Sequence, residues 1–180
     1  DLDGTLIPTD MFAESFAAML GQKPWLLPLF FLWLFKGRAY AKKKLFESVT
    51  VNFDNIPFFP EVVSYVRSER EKGRHTVLVT ASDIQVAEKF SEKFGVFDEV
   101  IASDGSFNVR GKNKRKVLDE KFGAKKYDYA GNSTVDIPVW KGCKSIVVVN
   151  PSTKFIANRQ KEFDVSWSYH VEVNKFKEYL

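Results

Sequence analysis

The chain has 180 residues, which suits one domain with an insertion, and its 44% hydrophobic content predicts a sizeable core. Its net charge is +4, its only cysteine is Cys143 and it has two histidines, which excludes an intrachain disulfide and a histidine-rich zinc site. Basic residues cluster at positions 36–44. They form either a solvated helix face or a site that attracts phosphate or an anionic membrane, and we expect no nucleic-acid partner.

Residues 1–7 have the composition of a strand end that runs into a loop. Because a strand usually has more residues before its loop, we expect the natural chain to begin upstream of Asp1. Helical patterns follow: Asp10 is a suitable cap for residues 11–20, and residues 39–49 and 61–72 are further helical stretches.

The segment 25–35 is wholly apolar. It is shorter than the roughly 20 residues that a membrane-spanning helix needs, so a buried helix or an interfacial segment is favoured. In a packed cap, most of its large side chains are buried and the basic residues after it overhang a phosphate site. In an interfacial cap, several lie together on the surface and residues 42–44 meet anionic lipid. We expect a mixed arrangement, with one side buried and an apolar patch at the cap's outer edge.

From residue 75 the pattern changes to short β-branched runs that alternate with helical stretches. Strands are predicted at residues 76–80, 97–102, 127–130 and 145–150, and helices at residues 83–94, 113–122, 136–141 and from 151 onwards. This alternation is typical of a parallel sheet with helices on both faces. The predicted fold is therefore α/β: a doubly wound parallel-sheet core, residues 1–9 and 73–180, with a helical cap inserted at residues 10–72.

Two carboxylates, Asp1 and Asp3, precede Gly4 at the end of the first predicted strand. Active sites in open parallel sheets lie at the carboxyl ends of the strands. One carboxylate of such a pair can attack phosphorus and form an aspartyl-phosphate, while the other protonates the leaving oxygen and later activates water. Gly4 permits a sharp turn and a close approach of backbone to phosphate.

Further polar residues follow the other predicted strands. Lys114 can supply positive charge to the phosphoryl oxygens, and the Thr80 hydroxyl with nearby backbone N–H groups can donate to them. Oxygen atoms of Asp1, Asn132 and Asp136 are the hard ligands that Mg²⁺ prefers. A bound Mg²⁺ would offset the repulsion between an anionic nucleophile and an anionic substrate.

Four segments resemble the four motifs of the haloacid-dehalogenase (HAD) superfamily. They are Asp1-Leu-Asp-Gly-Thr5, Val79-Thr80-Ala-Ser82, Lys114 with Leu118 four residues later, and Gly131-Asn-Ser-Thr-Val-Asp136. They occur in order and on the expected elements, so the resemblance covers essentially the whole chain. It implies a Rossmann-like core, an inserted cap and Mg²⁺-dependent hydrolysis of a phosphomonoester.

The resemblance also implies roles for individual residues. It makes Asp1 the nucleophile and Asp3 the acid and base. The implied phosphate-binding residues are Gly4, Thr5, Thr80, Ala81 and Lys114, and the implied metal ligands are Asp1, the backbone carbonyl of Asp3, Asn132 and Asp136. Asn132 departs from the family, which more often has aspartate there. An amide keeps an oxygen ligand but lowers the negative charge of the site, so metal affinity is in question.

Some of these assignments have rivals in the sequence. The rivals are Lys112 and Lys116 for Lys114, Ser82 for Thr80, and a simple helix-capping turn at Asn132 and Ser133. The intact carboxylate pair favours an enzyme. The departure at Asn132 keeps open an alternative, a catalytically weak phospho-ligand-binding or regulatory module.

Residues 1–10, 97–105 and 129–140 are similar to the HAD domain that precedes bacterial UbiA-type membrane prenyltransferases. This narrower resemblance implies that the chain is the front part of a longer membrane protein. It also implies a cytoplasmic location, tethered to the inner face of the cell membrane, and a phosphorylated small-molecule or prenyl-linked substrate.

Overall fold

The computed structural model of the protein describes residues 1–149 and 168–171. The helices are α1 (Met11–Gln22), α2 (Leu27–Phe35), α3 (Arg38–Ser48), α4 (Pro60–Glu71), α5 (Ile84–Phe94), α6 (Lys112–Phe122) and α7 (Ile137–Trp140). The strands are β1 (Val77–Asp83), β2 (Glu99–Ser103), β3 (Asp128–Gly131), β4 (Ser145–Val149) and β5 (Ser168–Val171). Short 3₁₀ turns lie at Pro24–Leu26, Phe53–Asn55 and Thr134–Asp136.

The named strands all pair in parallel. β1 pairs with β2, and β4 lies between β3 and β5. The predicted α/β class with a parallel sheet is therefore confirmed. β5 is missing from the sequence-based prediction because four residues are too short a window for a periodic pattern. The helix predicted from residue 151 onwards lies outside the described residues.

Residues 1–7 form the predicted loop beside β3. The amino group of Asp1 donates to the carbonyl of Ala130 at 2.9 Å, and the carbonyl of Leu2 accepts the N–H groups of Leu6 and Ile7. Within this segment, Asp3 and Ile7 form one isolated parallel β-bridge. The loop thus begins at the carboxyl end of β3, where the candidate site forms.

Helix ends follow the capping signals of the sequence. The Asp10 carboxylate accepts the N–H groups of Phe12 and Ala13 at the start of α1, and Asp83 caps α5 in the same way. Gly95 ends α5 in the left-handed conformation, with φ of 61°. Pro28 lies in the first turn of α2, so the apolar segment 25–35 is divided into a 3₁₀ turn and a helix.

The main hydrophobic cluster joins the sheet to α5 and to the loop at residues 1–7. Its buried members include Leu2, Leu6, Leu78, Val86, Phe90, Val147 and Val149. Val62 and Val63 of α4 belong to the same cluster. α4 therefore packs with the core, although it lies inside the predicted cap at residues 10–72. The spacing of apolar residues predicted that α4 is a helix with one buried side, but it did not show that this side packs against the sheet.

The cap proper consists of α1, α2 and α3 around a separate cluster. The fully or largely buried side chains of this cluster are Met19, Phe30, Trp33, Ala41 and Leu45. Phe30 lies against Phe16 of α1, with ring centroids 5.0 Å apart. The cap therefore has a hydrophobic core of its own.

The outer side of α2 exposes large apolar side chains. Trp25 is 69% exposed and Phe35 is 88% exposed, whereas Phe30 and Trp33 are buried. The expected mixed arrangement of the apolar segment is confirmed. Within the described residues no single helix has the length and composition to cross a membrane. Only when the segments Met11–Gln22 and Pro24–Phe35 are taken together do they have that length and composition, and they are bent by 116° at their junction.

Two glycine-to-alanine changes should have opposite effects on stability. Gly95→Ala forces a side chain into the left-handed region at the end of α5, and we expect it to destabilise the protein by about 1 kcal/mol. Gly21→Ala is its control, because Gly21 lies within α1 with open space around it, and alanine should stabilise the helix by about 0.5 kcal/mol. Urea unfolding followed by circular dichroism measures both. Equal effects would contradict the conformational reason.

Candidate active site

The predicted motifs meet through hydrogen bonds at the carboxyl ends of β1 and β3. Lys114 Nζ donates to Asp1 Oδ1 at 2.8 Å, and Ser82 Oγ donates to Asp3 Oδ2 at 2.7 Å. Thr5 Oγ1 lies 3.5 Å from Asn132 Oδ1, a long contact. These contacts join residues that are up to 127 positions apart in the chain.

A buried chain of polar groups runs from Asp1 to Asp136. Lys114 Nζ also donates to the hydroxyl oxygen of Tyr129 at 2.8 Å, and that hydroxyl donates to Asp136 Oδ1 at 2.8 Å. Burial lowers the pKa of Lys114 to about 8, although the carboxylates of Asp136 and Asp3 act in the opposite direction. Burial and the neighbouring Asp136 carboxylate raise the pKa of Tyr129 well above its ordinary value, so its hydroxyl stays a neutral donor.

The two rivals of Lys114 lie elsewhere. Lys112 and Lys116 are exposed, and Lys116 Nζ lies 3.8 Å from a carboxylate oxygen of Glu120 on the same helix. Lys114 is 3% exposed. Residues two positions apart on a helix point about 160° away from each other, so Lys112 and Lys116 point away from Asp1 when Lys114 faces it.

Asp3 is held on the side of the cap. Its Oδ1 accepts the N–H of Met11 at 2.8 Å, and its Oδ2 accepts the Ser82 hydroxyl. Burial raises the pKa of Asp3, while these two hydrogen bonds and the charge of Lys42 lower it. Burial is the largest of these effects, and a raised pKa suits a group that donates a proton.

Ser82, the rival of Thr80, is the residue that reaches Asp3. Thr80 is fully buried, and its Oγ1 accepts the N–H of Ser82 at 3.0 Å. The pairing of β1 with β2 is irregular between Val79 and Asp83, which turns the strand end towards the site. Thr80 therefore orients the backbone of Ser82.

The Ala81 carbonyl connects this strand end to the cap. It accepts Lys42 Nζ of α3 at 2.8 Å and the Ser103 hydroxyl at 3.0 Å. Of the two arrangements that the sequence allowed for residues 42–44, this one puts Lys42 over the candidate site. Lys44, on the same helix, pairs with Glu47. Contact of residues 42–44 with anionic lipid, which belongs to the interfacial alternative, stays a prediction.

Gly4 makes the close approach of the first and fourth motifs possible. Its φ is +72°, and an added Cβ would lie 2.1 Å from Asn132 Nδ2. Thr5 beside it is 1% exposed. A side chain at position 4 would therefore displace Asn132.

The helix-capping turn that the rival interpretation predicts at Asn132 and Ser133 is present, and it is closed by Asp136. Its Oδ2 accepts the backbone N–H groups of Asn132 and Ser133, both at 3.1 Å, in a capping box. Asp136 is 2% exposed. The carboxylate thus holds the fourth motif in place, whatever else it binds.

The oxygen atoms of the site fit a hard divalent cation only as a combination of carboxylate, amide and backbone carbonyl groups. In residues 1–149 and 168–171, no three His, Cys, Asp or Glu side chains are grouped closely enough to hold a metal. Among the described residues, the N–H of Leu2 and Lys114 Nζ both donate to Oδ1 of Asp1, and no hydrogen bond reaches Oδ2. Within the same residues, the Oδ1 atom of Asn132 has only its long contact with the Thr5 hydroxyl. With Asp136 and the Asp3 carbonyl, these oxygens are chemically suited to Mg²⁺.

Residues 1–141 match the family model of the haloacid dehalogenase-like hydrolases. The chain belongs to this family. The HAD-like chain is 35% identical over 156 residues to "Uncharacterized protein y4nM" of Sinorhizobium fredii (strain NBRC 101917 / NGR234). The match covers 86% of this chain and 30% of y4nM, so the chain spans about a third of that relative's length.

Solved structures share the fold of this HAD-like chain. A protein of unknown function from Bordetella pertussis Tohama I has a TM-score of 0.69 and 17% identity, with 96% of each chain covered. A phospho-aspartyl intermediate analogue of phosphoserine phosphatase has a TM-score of 0.56 and 14% identity, with 87% of each chain covered. At these identities the likeness concerns the fold alone.

Tyr129 is missing from the sequence-based prediction of the site, and Lys42 is included there only as one of several basic residues that overhang the site in a packed cap. The alternation of β3 puts Tyr129 on the same side as Gly131, which is a usable signal. Lys42 has no such signal, because its direction depends on how the cap packs on the core. Side chains that reach a site from an inserted domain are not readable from motif spacing.

Tyr129→Phe should reduce stability more than Tyr127→Phe. Removal of the Tyr129 hydroxyl leaves Lys114 and Asp136 each without one buried partner, which we expect to cost about 2 kcal/mol. The Tyr127 hydroxyl donates to Asp119, which is 24% exposed and can be rehydrated, so about 1 kcal/mol or less is expected. Urea unfolding measures both, and an equal loss would mean that the buried chain is not a cooperative unit.

Proposed function

We propose that this HAD-like chain is a Mg²⁺-dependent phosphomonoester hydrolase that works through an aspartyl-phosphate. The observation that carries the proposal is the pair of differently held carboxylates. Asp1 is bound by a buried lysine, whereas Asp3 is bound by a hydroxyl and a backbone N–H on the cap side. The similar fold of phosphoserine phosphatase, captured as a phospho-aspartyl analogue, supports it.

Asp1 is the proposed nucleophile. Lys114 and the N–H of Leu2 fix one carboxylate oxygen, which orients the group for attack on phosphorus. Attack by the carboxylate forms the bond from Asp1 to phosphorus and breaks the bond from phosphorus to the leaving oxygen. Lys114, held by Tyr129, offsets the charge of the phosphoryl oxygens.

Asp3 is the proposed acid and base. It gives its proton to the leaving oxygen, and as a carboxylate it then takes a proton from the water that hydrolyses the aspartyl-phosphate. Ser82 and the N–H of Met11 hold the side chain in one orientation through both steps. Asp1, the Asp3 carbonyl, Asn132 and Asp136 would hold Mg²⁺, which when bound supplies charge neutralisation between nucleophile and substrate.

Asp1→Asn should lower the turnover of p-nitrophenyl phosphate roughly a thousandfold or more, because an amide is a poor nucleophile. Asp3→Asn should be nearly as damaging, and any aspartyl-phosphate that still forms should persist long enough for detection by mass spectrometry. Asp54→Asn at an exposed turn is the matched control and should behave as wild type. Wild-type kcat in Asp1→Asn would remove Asp1 from the mechanism.

Asn132→Asp should lower the Mg²⁺ concentration required for half-maximal activity, because it adds an anionic oxygen to the proposed ligand set. Titration of phosphatase activity with Mg²⁺ measures the change. A large loss of metal affinity would mean that Asn132 does not face the ion. The unaltered protein could also bind phosphate analogues but hydrolyse no substrate at any Mg²⁺ concentration. That result would support the alternative function, a catalytically weak phospho-ligand-binding module, which the departure at Asn132 keeps open.

We also propose that the domain belongs to a longer protein with a UbiA-type prenyltransferase and lies at the inner face of the cell membrane. The match to only 30% of y4nM is consistent with a larger partner region. The apolar patch on the cap, formed by Trp25, Leu29, Phe31, Leu32 and Phe35, supports contact with lipid. Lys23 and Lys36 at its two ends suit anionic headgroups.

Replacement of Trp25, Phe31 and Phe35 by serine should reduce binding of the protein to phosphatidylglycerol-containing vesicles at least tenfold. The reason is the loss of apolar area, since a fully buried large side chain contributes about 1.5–3 kcal/mol. Phe58→Ser with Phe107→Ser alters exposed aromatic residues elsewhere and serves as the control. Co-sedimentation measures binding. Equal and negligible binding by all three proteins would remove the membrane contact from the proposal.

A further inference from the structure

A cavity lies between the cap and the core, and its lining includes Asp10 and Phe12, the two neighbours of the residue that donates to Asp3. It has a volume of about 320 Å³, within the roughly 300–1,000 Å³ of small-molecule sites. The cavity is lined from α1, α2 and α3 on the cap side and from residues 108 and 110 on the core side. The two halves of the molecule therefore form it together.

One wall of this cavity is apolar. It consists of Phe12 and Phe16 from α1 and Phe30 and Leu34 from α2. Phe30 is the centre of the wall, with ring centroids 6.0 Å from Phe12 and 5.0 Å from Phe16. Apolar surface that lines an open cavity is stabilised when an apolar group covers it.

Cationic side chains also line the cavity. Arg38, Lys42 and Arg110 line it, and among the described lining residues only Asp10 carries negative charge. Asp10 is already engaged as the cap of α1. Neither arginine has a salt bridge with a described residue. Burial lowers the pKa of Lys42, and although Asp3 and Asp10 raise it, both arginines lower it further, as expected for like charges brought together.

The cavity begins where a leaving group would lie. Lys42 donates to the Ala81 carbonyl, next to the Ser82 that holds Asp3. Met11, whose N–H donates to Asp3, stands between Asp10 and Phe12 of the cavity lining. A substrate with its phosphoryl group at Asp1 and its leaving oxygen at Asp3 would extend from there into the cavity.

We propose that this cavity selects a phosphomonoester whose leaving group carries a second anionic group and an apolar chain. The inference rests on the proposed phosphatase function, because it assigns the leaving-group side through Asp3. A small polar phosphomonoester would leave the phenylalanine wall uncovered. A purely apolar leaving group would leave Arg38 and Arg110 without a counter-charge from the substrate.

The cavity predicts a ranking of four water-soluble substrates. Dioctanoyl phosphatidylinositol 4-phosphate has the phosphomonoester, a second anion and apolar chains. Glycerophosphoinositol 4-phosphate lacks the chains, octyl phosphate lacks the second anion, and p-nitrophenyl phosphate reports the phosphatase reaction itself. We expect kcat/KM for the first, below its micelle concentration, to exceed those for the second and third at least tenfold.

Two variants test separately whether the arginines and the phenylalanines of the cavity cause the preference for the dioctanoyl lipid. Arg38→Gln with Arg110→Gln should reduce the ratio of kcat/KM for the dioctanoyl lipid over octyl phosphate to near one, as expected when charge-assisted hydrogen bonds to the second anion are lost. Phe16→Ala should reduce the ratio of the lipid over glycerophosphoinositol 4-phosphate about tenfold. The controls are Arg67→Gln, an exposed arginine on α4, and Phe58→Ala, an exposed phenylalanine outside both the cavity and the apolar patch of the cap, and both should keep the wild-type ratios.

Binding of the same four compounds to the Asp1→Asn variant by calorimetry tests the cavity without turnover. Hydrolysis of p-nitrophenyl phosphate with no preference for the lipid would overturn the proposed selectivity and leave the phosphatase function intact. No hydrolysis of any compound, with tighter binding of the lipid than of its partial analogues, would overturn the phosphatase function and support the cavity. Equal binding of all four compounds would overturn the proposal that the cavity selects its ligand.

Discussion

The buried contact between Lys114 and Asp1 is the interaction on which the site depends. A lysine that is 3% exposed is stable in the core only with partners, and here these are the Asp1 carboxylate and the Tyr129 hydroxyl. The same hydroxyl donates to Asp136, so one polar chain joins α6, β3 and the first loop. Removal of any member leaves another buried polar group unsatisfied. The chain therefore holds the groups proposed for phosphoryl transfer in one arrangement and also stabilises the core.

The cap is joined to this core at the carboxyl end of β1. Lys42 of α3 donates to the Ala81 carbonyl, and Asp3 accepts the N–H of Met11 at the start of α1. These two polar contacts come from the cap segments nearest to the candidate site, while the hydrophobic cluster of the cap lies apart from that of the sheet. The surface between the two clusters is thus partly open. This opening gives the cavity its mixed walls, with phenylalanine on the cap side and cations on both sides.

The elements and motifs were largely readable from the sequence because their signals are local. Asp10, Asp83 and Gly95 mark helix ends through hydrogen bonds within a few residues. The alternation of strands and helices after residue 75 predicts the parallel sheet. What the sequence did not show depends on distant packing: α4 packs against the sheet core, and the short strand β5 is recognised only through its partner β4. Periodicity tells which face of a helix is buried but not against which neighbour.

The sequence by itself determined the α/β class, the helical insertion and the residues proposed for catalysis, since each depends on residue type and short-range spacing. Only the tertiary structure decided that Lys114 rather than its neighbours faces Asp1, that Ser82 reaches Asp3, and that Lys42 turns inward. It also brought Tyr129 into the site. The physical reason is that a buried polar side chain must find its partner wherever the fold places one, often more than seventy positions away. Such pairings are properties of the packed core and have no local sequence pattern.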